Sequence, residues 1–195
     1  MFRLAAIAAA TVWLAGCMTA AVGPNHPGTR VRYKSPDPQK WIGSQTFGDR
    51  RANFYCRPLA CPVRSVVSVR SAASPTRSPD PQALQTFAQE SAAQEVASAE
   101  QASAEGGDRI RNVSVLSTRV VSVKNFPTIH WEYQGVDRDN KTVYMVRKMV
   151  FAGNSMIDVI SMSLSLEVAR RNGNDFIAVL EIDDFAPPAV TAAKL

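Results

Sequence analysis

Alternating apolar and polar residues fill most of the chain between residues 110 and 164. Residues 110–124 put Val113, Val115, Val121 and Val123 on one side. Residues 129–133 interleave Ile129, Trp131 and Tyr133 with His130 and Glu132. Residues 143–151 form a third run. Residues 156–164 form a fourth, with Ile157 and Val159 opposite Met156, Ile160, Met162 and Leu164. A period of two is the pattern of a strand with one face on a core. Phe126-Pro127, residues 137–140 and Gly153-Asn154 interrupt the series, and turns this short join antiparallel neighbours. Residues 47–56 and 63–70 predict two earlier strands, the second rich in β-branched residues.

The period changes to helical after residue 80. Asp80 supplies an N-cap and Pro81 a first-turn proline. Leu84, Phe87, Ala88, Ala92, Val96 and Ala99 then fall on one face, and Gly106-Gly107 ends the run. Leu84 and Phe87 call for burial, and the alanines let the helix lie close to a sheet. Near the C-terminus, residues 166–171 predict a turn or two of helix. Asn174 caps a further helix over residues 175–185, stopped by Pro187-Pro188. Strand pair, long helix, antiparallel meander and terminal helix sum to an α+β fold. It is a twisted antiparallel sheet with the long helix and a C-terminal helix packed on it.

The N-terminus gives an address. Met1-Phe2-Arg3 is followed by an apolar, alanine-rich run and then by Leu14-Ala15-Gly16-Cys17. That order reads as a bacterial secretory signal ending in a lipobox, with Cys17 the lipidated residue and new N-terminus. The run is too short to span a bilayer, which takes about 20 residues. Met18 stands where an Asp would signal inner-membrane retention, so the expected site is the periplasmic face of the outer membrane. The inner membrane is the alternative. The predicted organisation is signal peptide 1–16, lipid-anchored tether 17–45, one domain over 46–186 and a loose tail 187–195. Trp41 and Ile42 mark where the tether docks.

Charge and cysteines refine this picture. The formal charge is +5, or +4 without Arg3. Residues 30–77 carry ten Lys or Arg against Asp37 and Asp49. This basic stretch is either a solvated surface or a contact for anionic lipid. A nucleic-acid partner is not expected outside the cytoplasm. With Cys17 assigned to lipid, Cys56 and Cys61 form an even pair in an oxidising compartment. They read as a disulfide staple across a Pro-containing turn between two strands, with free thiols as the alternative.

No catalytic set emerges. His26 lies in the tether, and His130 is a lone strand histidine. Ser161, Ser163 and Ser165 alternate on one strand face without a nucleophile elbow, and read as that strand's polar face. Asp137, Asp139, Asp183 and Asp184 miss the calcium-loop pattern. No phosphate loop or dinucleotide fingerprint occurs. The chain is therefore read as a non-enzyme with no cofactor and no metal. Trp131, Tyr133, Tyr144, Arg147 and Lys148 are a candidate recognition patch, against the alternative that the two aromatics build the core.

From Asp80 onward the layout resembles the PsbP-like fold family, which includes DcrB-type bacterial lipoproteins. The matching pieces are residues 81–104, Phe126-Pro127 leading into Trp131-Glu132-Tyr133, residues 143–151, Gly153-Asn154 and residues 176–185. The resemblance implies a non-enzymatic binding or assembly module. The expected function is thus a lipid-anchored envelope protein that binds another envelope protein. The alternatives are a carrier or sensor of a small apolar ligand, held under the alanine-rich helix, and a hydrolase built on His130.

Overall fold

The computed structural model describes residues 30–46, 51–74, 79–104 and 110–183. The signal peptide, Cys17 and the tail lie outside them. The elements in order are β1 (Arg30–Arg32), β2 (Trp41–Thr46), β3 (Arg51–Cys56), β4 (Ser65–Ala73), α1 (Pro81–Ala104), β5 (Arg111–Val123), β6 (Phe126–Val136), β7 (Thr142–Ala152), β8 (Ser155–Ser163), α2 (Leu166–Ala178) and β9 (Glu181–Asp183). β2 to β8 form a seven-stranded antiparallel sheet in the order β2-β3-β4-β8-β7-β6-β5, and β1 pairs with β9 in a separate two-stranded sheet. The architecture is the expected α+β layer arrangement.

The helices cover opposite faces of the sheet. Beneath α2, Phe176, Ile177 and Leu180 pack with Trp41, Phe54, Val67, Val69, Val150, Ile157 and Val159. Trp41 and Phe176 meet edge to face with centroids 5.1 Å apart. Beneath α1, Leu84, Ala88 and Ala92 pack with Ile129, Trp131, Tyr133, Met149 and Phe151. Asp80 caps α1 by accepting the Ala83 amide at 2.8 Å. The Trp131 indole donates to the Ala88 carbonyl at 2.8 Å, pinning helix to sheet. That bond satisfies the buried ring nitrogen, whose burial without a partner would carry a desolvation penalty.

Several boundaries differ from the sequence expectation. Residues 30–45 are not all tether: β1 pairs with β9, and β2 is a sheet edge whose Trp41 is buried. Aromatic packing on Phe176, 135 residues further along the chain, outweighs the local proline-rich composition. Phe126-Pro127 does not interrupt the meander. The turn lies at Lys124 and Asn125, with φ of 51° and 67°, and both Phe126 and Pro127 belong to β6. Two consecutive left-handed residues make the tight turn whose twist suits a hairpin. In β5, register shifts near Arg111 and between Val115 and Ser117 break the alternation. Val113 and Val120 therefore both pack on the α1 side, while Val115 is exposed. Phe87 is 44 % exposed rather than buried, since Leu84, Ala88 and Ala92 make the closest line of approach.

The C-terminal helix is one continuous α2, not two. Ser165 caps it, its side chain accepting from the Val168 amide. Asn174 lies inside the helix, and residues 181–183 are extended. Asn172-Gly173-Asn174 is a poor helix sequence, but Gly173 faces the sheet. A methyl group there would sit 3.6 Å from Ser161 Cβ and 3.8 Å from Val146 Cγ1. Close approach to β8 and β7 thus offsets the weak local propensity. Lys124 closes the helix end, donating to the carbonyls of Ala178 at 2.9 Å and Leu180 at 2.7 Å.

Candidate functional site

The five residues of the candidate recognition patch do not meet. Along β6 and β7 side chains alternate between faces, so Trp131, Tyr133 and Arg147 point toward α1 while Tyr144 and Lys148 point toward α2. Trp131 and Tyr133 are 0 % and 1 % exposed, which makes them core. The Arg147 guanidinium stacks over the Trp131 ring, 5.2 Å from its centroid. It is tied to Asp158 by bonds of 2.9 to 3.2 Å and to Glu95 of α1 at 3.0 Å. Arg70 also donates to Asp158, at 2.7 Å. These three ion pairs link β4, β7, β8 and α1.

The polar side chains of β6 are buried as well, because α2 covers them. Arg119, His130 and Lys148 stand in one cross-strand row on β5, β6 and β7. Glu132 lies one pleat along, and Arg170 of α2 closes on it with bonds of 2.9 and 2.7 Å. His130 Nε2 is 3.0 Å from Glu132 Oε1, and its Nδ1 is 3.3 Å from Arg119 Nη2. Arginine can only donate, so Nδ1 accepts and the ring proton on Nε2 goes to Glu132. Burial, with Lys148 and Arg119 adding positive charge, pulls the His130 pKa down to about 4. The Arg170 hydrogen bonds outweigh burial and hold Glu132 at about 2. The imidazole is therefore neutral at pH 7 and both its nitrogens are engaged, so it serves to orient the Glu132 carboxylate. Lys148 donates to Asn174 of α2. Ser161 and Ser163, read from the sequence as a strand's polar face, are buried under the same helix. Among the described residues no cluster of His, Cys, Asp and Glu could hold a metal ion.

Space for a ligand or partner lies on the other face. α1 packs over β5 to β7, and among the described residues no helix covers the β2, β3 and β4 part of that face. A cleft of about 360 Å³ runs under the C-terminal half of α1, bounded by Ala99, Ile110, Val113, Val143 and Met145. That volume is within the roughly 300–1,000 Å³ typical of small-molecule sites. Phe87 is largely exposed and does not line it, Met149 is packed in the core and Met145 forms part of its wall, so none of the three fills it. Gly135 makes room for its floor, because a methyl group there would be 2.3 Å from Ile110 Cγ2. The Tyr133 ring also borders the cleft, and its buried hydroxyl has no hydrogen-bond partner among the described residues.

A wider cleft, about 730 Å³, adjoins the first through Ile110 and Val143. Tyr55, Val66, Met162, Arg64 and Arg138 line it, along with the Cys56–Cys61 loop. Those cysteines are at disulfide distance, with Cα atoms 6.1 Å apart. The loop holds Leu59 fully out in solvent, and Ile42 and Tyr55, paired across β2 and β3, are both about half exposed. The two clefts, the exposed Ile42, Tyr55 and Leu59, and the unpaired Tyr133 hydroxyl were not visible in the sequence. The one signal that pointed there was the alanine-rich helix face.

No family model and no curated protein matches this chain. Solved structures do match it. The cyanobacterial PsbP protein CyanoP from Synechocystis sp. PCC 6803 aligns with a TM-score of 0.53 at 13 % identity, covering 86 % of this chain and 99 % of that one. LpqN of Mycobacterium tuberculosis, described as involved in cell envelope biogenesis, aligns with a TM-score of 0.49 at 11 % identity, covering 83 % and 88 %. The fold is PsbP-like. At these identities the likeness extends to the fold alone.

Proposed function

We propose that this protein is a lipid-anchored, non-enzymatic binding module of the cell envelope. Cys17 holds it to the periplasmic face of the outer membrane, and the domain docks another envelope protein. The lipobox pattern supports the address, and no helix among the described residues is long and apolar enough to cross a membrane. The observation that carries the binding role is the uncovered half of the sheet. Ile42, Tyr55 and Leu59 present apolar area beside a cleft, with Arg64 exposed at its edge. An apolar centre with a charged rim, here of both signs with Arg64 and Arg138 beside Asp137 and Asp139, is the anatomy of a protein interface.

The test is site-specific photo-crosslinking in cells. A crosslinker at Tyr55 or Leu59 should yield one reproducible adduct with an envelope protein. The same group at Glu167, exposed at the start of α2, should not. Equal adducts from both faces would refute the docking surface. Cys17→Ser should move the protein from the membrane to the soluble fraction, and persistence on membranes would overturn the anchor.

A second reading, a carrier of a small apolar ligand, is favoured by one specific observation. A lined cleft lies under the alanine-rich helix, as that reading requires, and none of Phe87, Met145 and Met149 fills it, Met145 forming part of its wall.

A further inference from the structure

We propose that the surface between α2 and β5 binds a phosphate group carrying two negative charges, seated over His130 between Arg119, Lys148 and Arg170. The site lies on the opposite face of the sheet from the docking surface and is independent of it. Arg119, His130 and Lys148 form the cross-strand row on β5, β6 and β7, and Arg170 and Asn174, one turn apart, flank it from α2. The Arg119 and Arg170 guanidinium groups approach the same oxygen, Glu132 Oε1, to 3.8 and 2.9 Å, so they stand side by side. Their side chains are 56 % and 50 % exposed, and Asn174 is exposed as well, so a solute reaches the row from its open side.

Charge sets the ligand class. Arg119, Lys148 and Arg170 stand against one carboxylate, Glu132, since the His130 imidazole is neutral and bonded at both nitrogens. Glu95 and Asp158 lie on the α1 face, paired with Arg147, and Glu167 and Asp175 of α2 are exposed. Lys148 shows the deficit most directly. It is 7 % exposed, yet its ammonium donates to the neutral amide oxygen of Asn174 rather than to a carboxylate. Burial and the Arg119 charge lower its pKa, as befits a buried cation short of a counter-charge. Three positive charges against one negative leave a surplus of two among the described residues. A phosphate monoester or inorganic phosphate carries about −1.5 to −2 at pH 7, and its oxygens can accept from Arg119, Lys148 and Arg170 together. A carboxylate or a phosphate diester, with a single charge, offsets only half of the surplus.

The experiment is isothermal titration calorimetry on the mature chain carrying Cys17→Ser, at pH 7 and low salt, where charge pairing is least screened. Inorganic phosphate should bind one saturable site, and acetate and dimethyl phosphate should bind about tenfold more weakly. Arg119→Gln, at an exposed position, should weaken phosphate about tenfold, the size of one charge-assisted hydrogen bond. Arg138→Gln, beside the wider cleft, should leave phosphate affinity unchanged. Lys148→Met should abolish binding in a protein that keeps its circular dichroism and melting temperature. Proton resonances of the two histidine rings locate the ligand: phosphate should shift those of His130 and leave those of His26 in place. Sedimentation with vesicles of phosphatidylcholine and phosphatidic acid, lost in Arg119→Gln, makes a lipid headgroup the source of the phosphate. Calorimetric binding without sedimentation makes free phosphate the source. An absent phosphate site, acetate binding as tightly as phosphate, or binding that neither Arg119→Gln weakens nor the His130 resonances register would overturn the inference.

Discussion

Glu132→Gln removes one negative charge from a site where three cations converge, and the cost can be worked from the structure. The Glu132 side chain is 3 % exposed and accepts from both Arg170 nitrogens and His130. Holding its carboxyl at about 2 rather than 4.5 corresponds to about 3 kcal/mol in favour of the folded state at neutral pH. Arg170 is half exposed, so solvent screening brings this to about 2–3 kcal/mol. In the variant the amide NH2 faces a donor, His130 or Arg170, and one of the two is left unpartnered. Urea unfolding at pH 7 should show that loss. At about 2–4 °C per kcal/mol for a domain of this size, the melting temperature should fall by roughly 4–12 °C. A carboxylate with a depressed folded pKa contributes in full above its unfolded pKa and loses the contribution as pH falls through the folded one. The difference between wild type and Glu132→Gln should therefore be flat above about pH 5 and shrink between about pH 4.5 and pH 2. A difference below 1 kcal/mol at pH 7, or one that persists undiminished at pH 2, would refute the assignment of Glu132 as the buried charge that Arg170 neutralises.

Wild-type stability should begin to fall at milder acidity than Glu132 alone dictates. His130 is held at about 4 against 6.5, so the unfolded chain binds the extra proton as pH drops through that window, and His130→Gln should flatten the urea-midpoint curve between pH 6.5 and 4. Gly173→Ala should be tolerated or stabilise by up to about 1 kcal/mol, since the methyl group has ordinary contacts and alanine favours helix. Gly135→Ala, by contrast, drives a methyl into Ile110 and should destabilise by about 1–3 kcal/mol in the same denaturation assay. Replacing Cys56 and Cys61 together by Ala should cost about 2 kcal/mol through the small loop they close, and a reductant should then leave the double variant's urea midpoint unchanged.

What residues 110–164 determine by themselves is the meander. Each alternation is local and the turns lie between them, so strands, antiparallel order and the α1 cap at Asp80 follow from spacing and turn chemistry alone. The same holds for the Cys56–Cys61 pair, whose loop is only a few residues long. The tertiary structure decided whatever depends on a distant partner. Alternation says that Ile129, Trp131 and Tyr133 share a face, but not that a helix also covers His130, Glu132, Ser161 and Ser163. Only the placement of α2 turns that polar side into a buried ion network. Asn174 looks like a cap until Gly173 is seen lying against Ser161 and Val146. Trp41 looks like the end of a tether until Phe176 closes on its edge. The cleft is of the same kind: it exists because α1 is long enough to cross three strands and too narrow to cover seven. A void has no residue of its own in a sequence.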